Sequence, residues 1–234
     1  MKVDIWSDIM CPFCYIGKRK FESALEKFSD KEKIEVRWHS FQLDPAVPNN
    51  VDGDIYDYLA QRKGQTREWA KQVNEHVSQT AKEVGLTYNM DEAVVANSFD
   101  AHRLIQLAKK WGKDDVAEEA LFKAYFTEGK NISDKDTLTA IGIRIGLDDA
   151  EIEQLFSSDA YAKEVQYDIA VAQRLGINGV PFFVLNNKYG VSGAQSPELF
   201  QQALQQAWQE YQKENQVVNI ETIEGSACSI DGIC

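Results

Sequence analysis

The chain has 234 residues, of which 44% are hydrophobic and 26% are charged, the composition of an ordinary globular protein and not of a disordered or fibrous one. Its 25 Lys and Arg residues against 37 Asp and Glu residues give a net charge of −12. This charge argues against nucleic acid or an anionic membrane as the main partner, because both repel an acidic surface.

The chain starts without a recognisable targeting signal. Asp4 and Asp8 interrupt any apolar run near the N-terminus, and no apolar stretch reaches the roughly eighteen residues that a bilayer-spanning helix needs. We therefore expect a soluble, cytoplasmic protein. The cytoplasm keeps thiols reduced, so the four cysteines are expected to be catalytic, redox-sensing or metal-binding and not structural.

The first predicted elements form a βαβ unit. Lys2–Ser7 has the pattern of a buried strand, and a helix is predicted from Pro12 to about Phe28. Ile34–Phe41 alternates with period two and is predicted to be a second strand. Strand, helix and strand in this order predict parallel pairing through a right-handed crossover.

The next hundred residues or so are predicted to be helical. No strand pattern occurs there, and each predicted helix ends at a glycine, which accepts the left-handed conformation that commonly terminates a helix. These glycines are Gly64, Gly85, Gly112, Gly129, Gly146 and Gly176.

Strand patterns return near the C-terminus. Two short strands are predicted at Pro181–Leu185 and Tyr189–Ser192, followed by a helix from about Pro197 to Glu214. The pattern predicts an α/β fold of the form βαβ…ββα, split by a large inserted all-helical domain. The predicted division is residues 1–49 and 166–214 for the sheet domain, 50–165 for the helical insertion, and 215–234 for a C-terminal tail.

The motif Cys11-Pro12-Phe13-Cys14 lies where the first strand meets the first helix. Proline is favoured in the first turn of a helix, so Pro12 puts Cys11 at or next to the N-cap. The unpaired N–H groups and the positive end of the helix dipole there favour a thiolate, which is the nucleophile in disulfide exchange. Cys14 lies one turn later, where it can resolve a mixed disulfide.

Two other interpretations of this cysteine pair are a zinc half-site and two ordinary core cysteines. Zinc ligands normally lie within a few tens of residues of each other, whereas the remaining cysteines, Cys228 and Cys234, are at the other end of the chain. A proline at a helix start between two core cysteines is unusual. A C-x-x-C motif beside a βαβ pattern favours redox chemistry, with no metal.

A second feature is Gly179-Val180-Pro181, which leads into the predicted strand PFFVL. Proline is tolerated at the first residue of a strand because its missing N–H is not needed by the ladder. From the residues alone, a trans bond before Pro181 is the expected case.

Several segments carry a family resemblance: CPFCYIGK, FQLDP, NSFDAHRL, LFKAYFTEGKNI and GINGVPFFVLNNKYGVSGAQ. In this order they resemble the DsbA family of the thioredoxin superfamily, from Val3 to about Trp208. They are most similar to its cytoplasmic FrnE-like branch, which is related to 2-hydroxychromene-2-carboxylate isomerases and kappa-class glutathione transferases.

The resemblance implies a thioredoxin fold and a thiol–disulfide oxidoreductase or isomerase. Cys11 would be the attacking cysteine, Cys14 the resolving one and Pro181 a cis-proline next to them. The backbone of Val180 would pair with an extended substrate. Where periplasmic DsbA has histidine before its second cysteine, this chain has Phe13, so a weaker oxidant than DsbA is expected.

No cofactor beyond the redox-active disulfide is implied. The expected partners are protein or small-molecule thiols and disulfides, with glutathione or the thioredoxin system as the source of electrons.

Residues near the motif carry further expectations. Asp8 is either a solvated carboxylate or a proton relay for Cys14. His102 and Arg103 lie at the border of a helix's apolar stripe; they either form a solvated face or line a substrate groove. His39 is expected to have no metal-ligand partner nearby.

The aromatic and basic residues around the cysteines also carry predictions. Trp6, Trp38, Phe182 and Phe183 are predicted to be core residues because doubly buried strands are continuously apolar. Phe13 and Tyr15 are predicted to form an exposed apolar patch for client segments. The basic run is predicted to be a solvated face; it comprises Lys18, Arg19 and Lys20.

The tail carries a second candidate redox pair, Cys228 and Cys234. Asp231-Gly232 is a strong turn signal that can bring the two sulfurs together. FrnE-like proteins can carry an additional C-terminal pair, which would exchange electrons with Cys11 and Cys14 or tune them. The other interpretation is an inert or metal-scavenging pair.

Two further functions remain open. One is a glutathione-dependent isomerase or transferase of the chromene-carboxylate or kappa type, although that branch usually has serine in place of Cys11. The other is a redox-gated holdase without enzymatic activity. Cys11 together with Cys14 favours dithiol chemistry over both.

Overall fold

The computed structural model describes residues 1–48 and 53–215. Its centre is a four-stranded sheet of order β2-β1-β3-β4. The strands are β1 (Lys2–Ser7), β2 (Glu35–Ser40), β3 (Phe182–Leu185) and β4 (Tyr189–Ser192). β1 pairs in parallel with β2 and antiparallel with β3, which pairs antiparallel with β4.

Helices connect the strands of this sheet along the chain. Helix α1 (Pro12–Glu26) connects β1 to β2, and six helices follow before the chain returns towards the sheet. They are α2 (Ile55–Lys63), α3 (Arg67–Glu83), α4 (Phe99–Lys110), α5 (Asp114–Phe126), α6 (Lys135–Arg144) and α7 (Asp149–Ser157). Helix α8 (Ala162–Arg174) precedes β3, and α9 (Pro197–Glu214) follows β4.

This order confirms a thioredoxin fold with a large helical insertion. Helices α2 to α7 fall within the predicted insertion of residues 50–165, and α8 begins at Ala162, close to its predicted end. The domain boundaries themselves stay a prediction. In the described part of the chain, none of the helices is long and apolar enough to cross a membrane.

The core has two main parts, and the cysteine motif belongs to the helical one. Val3, Ile5 and Phe183 of the sheet pack with Phe21 of α1 and Phe200 of α9. The helical insertion forms a separate cluster that includes both motif cysteines and the aromatic residues of α5. The predicted core residues Trp6, Trp38 and Phe183 are buried, whereas Phe182 is half-buried.

The predicted helix-ending glycines are confirmed. All six have positive φ values of 62° to 77°, the left-handed region that favours glycine. Single glycine residues therefore predicted where these helices end.

A half-buried histidine joins the sheet to the helices. The two ring nitrogens of His39 lie 2.7 Å from Asp4 on β1 and 3.0 Å from Asp168 on α8. Asp168 also accepts hydrogen bonds from the Ser40 backbone N–H and from the Gln106 side chain on α4. We call Asp4, His39, Asp168 and Gln106 the His39 clamp.

Charge stabilises this clamp despite its burial. Burial alone lowers the pKa of His39, but the hydrogen bonds to Asp168 and Asp4 outweigh it and raise the pKa above its ordinary value. For Asp168, burial acts to raise the pKa, yet the hydrogen bond from His39 holds it below its ordinary value. Sequence analysis did not identify the hydrogen bond between His39 and Asp168, because Asp168 is 129 residues away along the chain.

Candidate active site

The four motif residues lie at the start of α1, shortly after the end of β1. Cys11 is the N-cap of the helix, with extended backbone angles, and Pro12 occupies the first turn. The N–H of Cys11 donates to the carbonyl of Asp8 at 2.9 Å, and the N–H of Cys14 donates to the carbonyl of Cys11 at 3.0 Å. No side chain caps this helix N-terminus, so Cys11 lies at the positive end of the helix dipole.

The two cysteines have different surroundings. Both are free thiols, but Cys14 is fully buried, whereas Cys11 retains slight exposure. The Cys11 thiol donates to the carbonyl oxygen of Val180 at 3.4 Å. Burial and the neighbouring Cys11 raise the pKa of the Cys14 thiol well above its ordinary value. Cys14 is therefore protonated at neutral pH, and Cys11 is the sulfur that a substrate can meet.

The loop before β3 brings Pro181 against the motif helix. The Val180–Pro181 peptide bond is cis, as the family resemblance implies. Gly17 on α1 allows this approach: a Cβ atom there would lie 2.8 Å from Pro181 Cγ. Sequence analysis did not single out Gly17, although a glycine retained inside a predicted helix can have a packing reason.

The aromatic residues of the motif separate into one exposed and one buried ring. Phe13 is 43% exposed, as predicted. The prediction for Tyr15 is wrong: its ring is buried and stacks on Phe122 at 5.0 Å, and its hydroxyl donates to Glu119 at 2.6 Å. Both partners come from α5, which the local sequence around Tyr15 does not reveal.

Tyr88 is a site residue that sequence analysis missed. Its hydroxyl donates to the carbonyl oxygen of Pro12 at 2.7 Å, inside the cysteine motif. Its ring stacks on Phe126 at 4.6 Å and lies near Tyr15. Tyr88 thus ties the start of α1 to the helical insertion.

The basic run after the motif is only partly solvated, so the prediction for Lys18 is wrong. Lys18 is buried and forms ion pairs with Asp115 at 2.9 Å and with Glu22. Burial alone would lower its pKa, but Asp115 and Glu22 raise it above the ordinary value. The charge is kept because carboxylates from α1 and α5 pair with it.

His102 and Arg103 are buried, which contradicts both of their predicted roles, the solvated face and the groove lining. Arg103 donates to the backbone carbonyl oxygens of Ala160, Leu155 and Ser158, and it pairs with Asp100 at 2.8 Å. It therefore fixes the chain between α7 and α8 to α4. His102 is fully buried, with Nε2 3.5 Å from Asp8 Oδ1.

Asp8 is buried too, so the solvated-carboxylate interpretation is wrong. One carboxylate oxygen accepts from the Leu43 N–H at 2.7 Å and the other from the Met10 N–H at 3.3 Å. These bonds fix the loop between β1 and α1.

The second cysteine pair, Cys228 and Cys234, lies outside the described residues. Among the residues that are described, no group of three or more His, Cys, Asp or Glu side chains is arranged to hold a metal ion.

Comparisons with known proteins show which family this chain resembles in sequence and in fold. Residues 2–205 match the model of the DSBA-like thioredoxin domain. The chain is 37% identical to a probable DsbA oxidoreductase from Streptomyces coelicolor, whose crystal structure aligns with a TM-score of 0.86 over 99% of this chain and 97% of that one. It is 26% identical to the Bacillus subtilis protein YwbO over 204 residues, 86% of this chain and 94% of YwbO.

A more distant structure has the same fold. The cytosolic disulfide reductase DsbM from Pseudomonas aeruginosa is 17% identical and aligns with a TM-score of 0.63 over 90% of this chain and all of that one.

The family match covers most of the sequence and includes the cysteine motif and the Val180–Pro181 loop. This chain therefore belongs to the family of DSBA-like thioredoxin domains.

Proposed function

We propose that this protein exchanges disulfides with protein thiols through Cys11 and Cys14, as a thiol–disulfide oxidoreductase or isomerase of the cytoplasm. One observation carries the proposal. The Cys11 sulfur lies at an uncapped helix N-terminus and contacts the Val180 carbonyl oxygen, while the second thiol is buried one turn behind it.

The proposed reduction has two steps. The Cys11 thiolate attacks one sulfur of a substrate disulfide, which forms a mixed disulfide and releases the other substrate sulfur as a thiolate. Cys14 then gives up its proton and attacks the Cys11 sulfur, which forms the Cys11–Cys14 disulfide and releases the second substrate thiolate. The substrate gains two electrons and the dithiol loses two; oxidation of a client runs in reverse.

The surroundings of Cys11 favour an extended peptide as substrate. The Val180 backbone lies beside the reactive sulfur at the start of β3, where a peptide strand can be added by main-chain hydrogen bonds. The exposed ring of Phe13 next to Cys11 provides an apolar contact for an unfolded segment.

Insulin reduction with glutathione or dithiothreitol as electron donor tests the proposal. We expect wild-type protein to accelerate the reduction, Cys11→Ser to abolish the acceleration and Cys14→Ser to accumulate mixed disulfides. Alkylation should modify Cys11 before Cys14. An inactive wild type that turns over small aromatic substrates with glutathione would instead support the isomerase or transferase function, and inactivity in both assays would support the holdase.

The direction of exchange needs a second measurement. The equilibrium of the Cys11–Cys14 couple against a glutathione buffer gives its redox potential, which is about −270 mV for a thioredoxin-like reductant and about −120 mV for a DsbA-like oxidant. Deletion of residues 226–234 tests the proposed role of Cys228 and Cys234. If neither insulin reduction nor the potential changes, the tail pair takes no part.

A further inference from the structure

The geometry of the His39 clamp is that of a protonated imidazole. Both ring nitrogens of His39 face carboxylate oxygens, Nε2 at 2.7 Å from Asp4 and Nδ1 at 3.0 Å from Asp168. A carboxylate only accepts hydrogen bonds, and a neutral imidazole has a single N–H to donate. The two contacts therefore fit a ring that is protonated at both nitrogens and carries a positive charge.

Loss of the ring proton changes one of these contacts from attraction to repulsion. The nitrogen that has lost its hydrogen then directs a lone pair at a carboxylate oxygen, either on β1 or on α8. The side chains of Asp4 and Asp168 are only 13% and 9% exposed, so water replaces the missing hydrogen bond poorly. The clamp consequently holds α8 against the sheet most firmly while His39 is charged.

Other charged groups lie around this ring. Burial and the ammonium group of Lys109 on α4 act to lower the pKa of His39. The hydrogen bonds with the two carboxylates raise that pKa by more. On β2 itself, Arg37 forms an ion pair within its own strand. The groups that decide the charge of His39 are therefore Asp4, Asp168 and Lys109.

Trp6 connects the clamp to the loop beside the cysteines. Its ring stacks on the ring of His39, with centroids 4.5 Å apart, and its Nε1 atom donates to the backbone carbonyl oxygen of Asp168 at 3.1 Å. Trp6 also belongs to a small buried apolar cluster that includes Ile177, and Val180 packs against that cluster. Packed side chains therefore connect His39 to the loop that carries Val180.

The end of α8 determines where this loop begins. After Gly176, which has a φ of 72°, the Ile177 N–H donates back to the carbonyl oxygen of Ala172 at 2.9 Å. Three residues later the carbonyl oxygen of Val180 accepts from the Cys11 thiol at 3.4 Å. A displacement of α8 is thus a displacement of the backbone beside the reactive sulfur.

We propose that His39 in its charged form is a positioning residue for the substrate: by fixing α8 it holds the Val180 backbone where an extended peptide can pair with it, and substrate binding weakens when His39 loses its proton. That proton passes to solvent, and no bond of the disulfide exchange changes at His39. This inference rests on the proposed function, to which the pairing of Val180 with a peptide belongs.

Insulin reduction at a series of pH values separates binding from chemistry. We expect the KM of wild type to rise about threefold to fivefold between about pH 6 and about pH 9, the factor that loss of one hydrogen bond produces. His39→Arg keeps a planar cation that can stack on Trp6 and bind both carboxylates at every pH, so its KM should stay low. The KM of His39→Gln should be high throughout.

The comparison between variants removes other effects of pH. The ratio of the wild-type KM to the His39→Arg KM, taken at each pH, cancels the titration of Cys11 and of the electron donor. We expect kcat to follow the same pH dependence in both proteins, because a change in KM alone reports binding that is equal in the ground state and the transition state.

Amide hydrogen exchange follows the loop without any substrate. Ile177 and Leu147 each follow a helix-ending glycine and donate back to a helical carbonyl, at 2.9 Å and 3.0 Å. Leu147 lies in the helical insertion and is the matched control for Ile177. Exchange at Ile177 relative to Leu147 should accelerate as the pH rises in wild type and stay constant in His39→Arg.

Two results overturn the inference. One is equal acceleration at Ile177 and Leu147, which would mean that the clamp affects only general stability. The other is a KM ratio that stays constant over the pH range. His76→Gln, at an exposed position on α3, should match wild type in both measurements. If His39→Arg does not fold, exchange at the two amides of wild type decides alone.

Failure of the proposed function gives a different result. Wild-type protein that reduces no insulin at any pH contradicts the proposed function. If Ile177 exchange in that protein still accelerates with pH relative to Leu147, the effect of His39 on the loop stands.

Discussion

Half-buried His39 and fully buried His102 differ in what surrounds their ring nitrogens. In the His39 clamp both ring nitrogens contact carboxylates within 3.0 Å, and Asp168 accepts further hydrogen bonds. Neither ring nitrogen of His102 has a hydrogen-bond partner, and Nε2 lies 3.5 Å from Asp8 Oδ1. A satisfied polar network stabilises a fold, whereas a buried polar group without a partner costs free energy.

The largest effect we expect comes from breaking the clamp. Asp168→Ala removes the side-chain acceptor of three hydrogen bonds, two from β2 and one from α4, and leaves His39 partly unpaired, so the free energy of unfolding should fall by about 3–5 kcal/mol. Chemical denaturation measures this change. Glu164→Ala, an exposed position on the same helix, is the control and should have little effect. Equal stability of the two variants would show that the clamp is not structural.

Substitution of Gly17 tests how closely the loop that carries Pro181 must approach the helix that carries the two cysteines. Gly17→Ala places a methyl group 2.8 Å from Pro181 Cγ, so the proline loop must shift. We expect a loss of about 1–3 kcal/mol from overpacking, reduced by the better helix propensity of alanine, and slower insulin reduction. The control is Gly179→Ala, where a Cβ meets nothing within 4 Å. Unchanged activity in Gly17→Ala would argue against a positioning role for this contact.

A smaller effect is expected at Tyr88. Tyr88→Phe removes one hydrogen bond to the Pro12 carbonyl but keeps the ring stacking, so stability should fall by about 0.5–1.5 kcal/mol. Thermal unfolding resolves such a change. Tyr167→Phe, at a 63% exposed position, should leave stability unaltered. Identical melting of both variants would contradict a stabilising contact.

The smallest effect we expect is a pH dependence of stability that comes from the His39 clamp. Because the pKa of folded His39 is raised, its contribution to stability is complete below about pH 6.5 and is lost as pH rises through the folded pKa. Because the pKa of Asp168 is lowered in the folded protein, its carboxylate stabilises the fold above about pH 3.9. This stabilisation is lost as the pH falls through the folded pKa. The clamp is therefore strongest at mildly acidic pH.

Unfolding free energies of wild type and His39→Gln, compared at mildly acidic and alkaline pH, measure this dependence. The difference between the two proteins should shrink on the alkaline side. His76→Gln, an exposed histidine, should track wild type throughout. A difference that stays constant would mean that the His39 charge does not contribute.

Local sequence patterns determined much of the fold. Lys2–Ser7 and Tyr189–Ser192 have the predicted strand bounds, and α9 has its predicted limits. The position of Cys11 at the N-cap followed from Pro12 alone. These features depend on backbone conformation, which neighbouring residues largely fix.

The tertiary structure alone decided which polar and aromatic side chains are buried. Lys18 meets Asp115 across 97 positions of sequence, Tyr15 meets Glu119 across 104, and His39 meets Asp168 across 129. Helical periodicity identifies the faces of a helix but not the element that covers each face. A charged residue is stable inside a protein only where distant partners satisfy it, and those partners are set by how the helical insertion packs on the sheet domain.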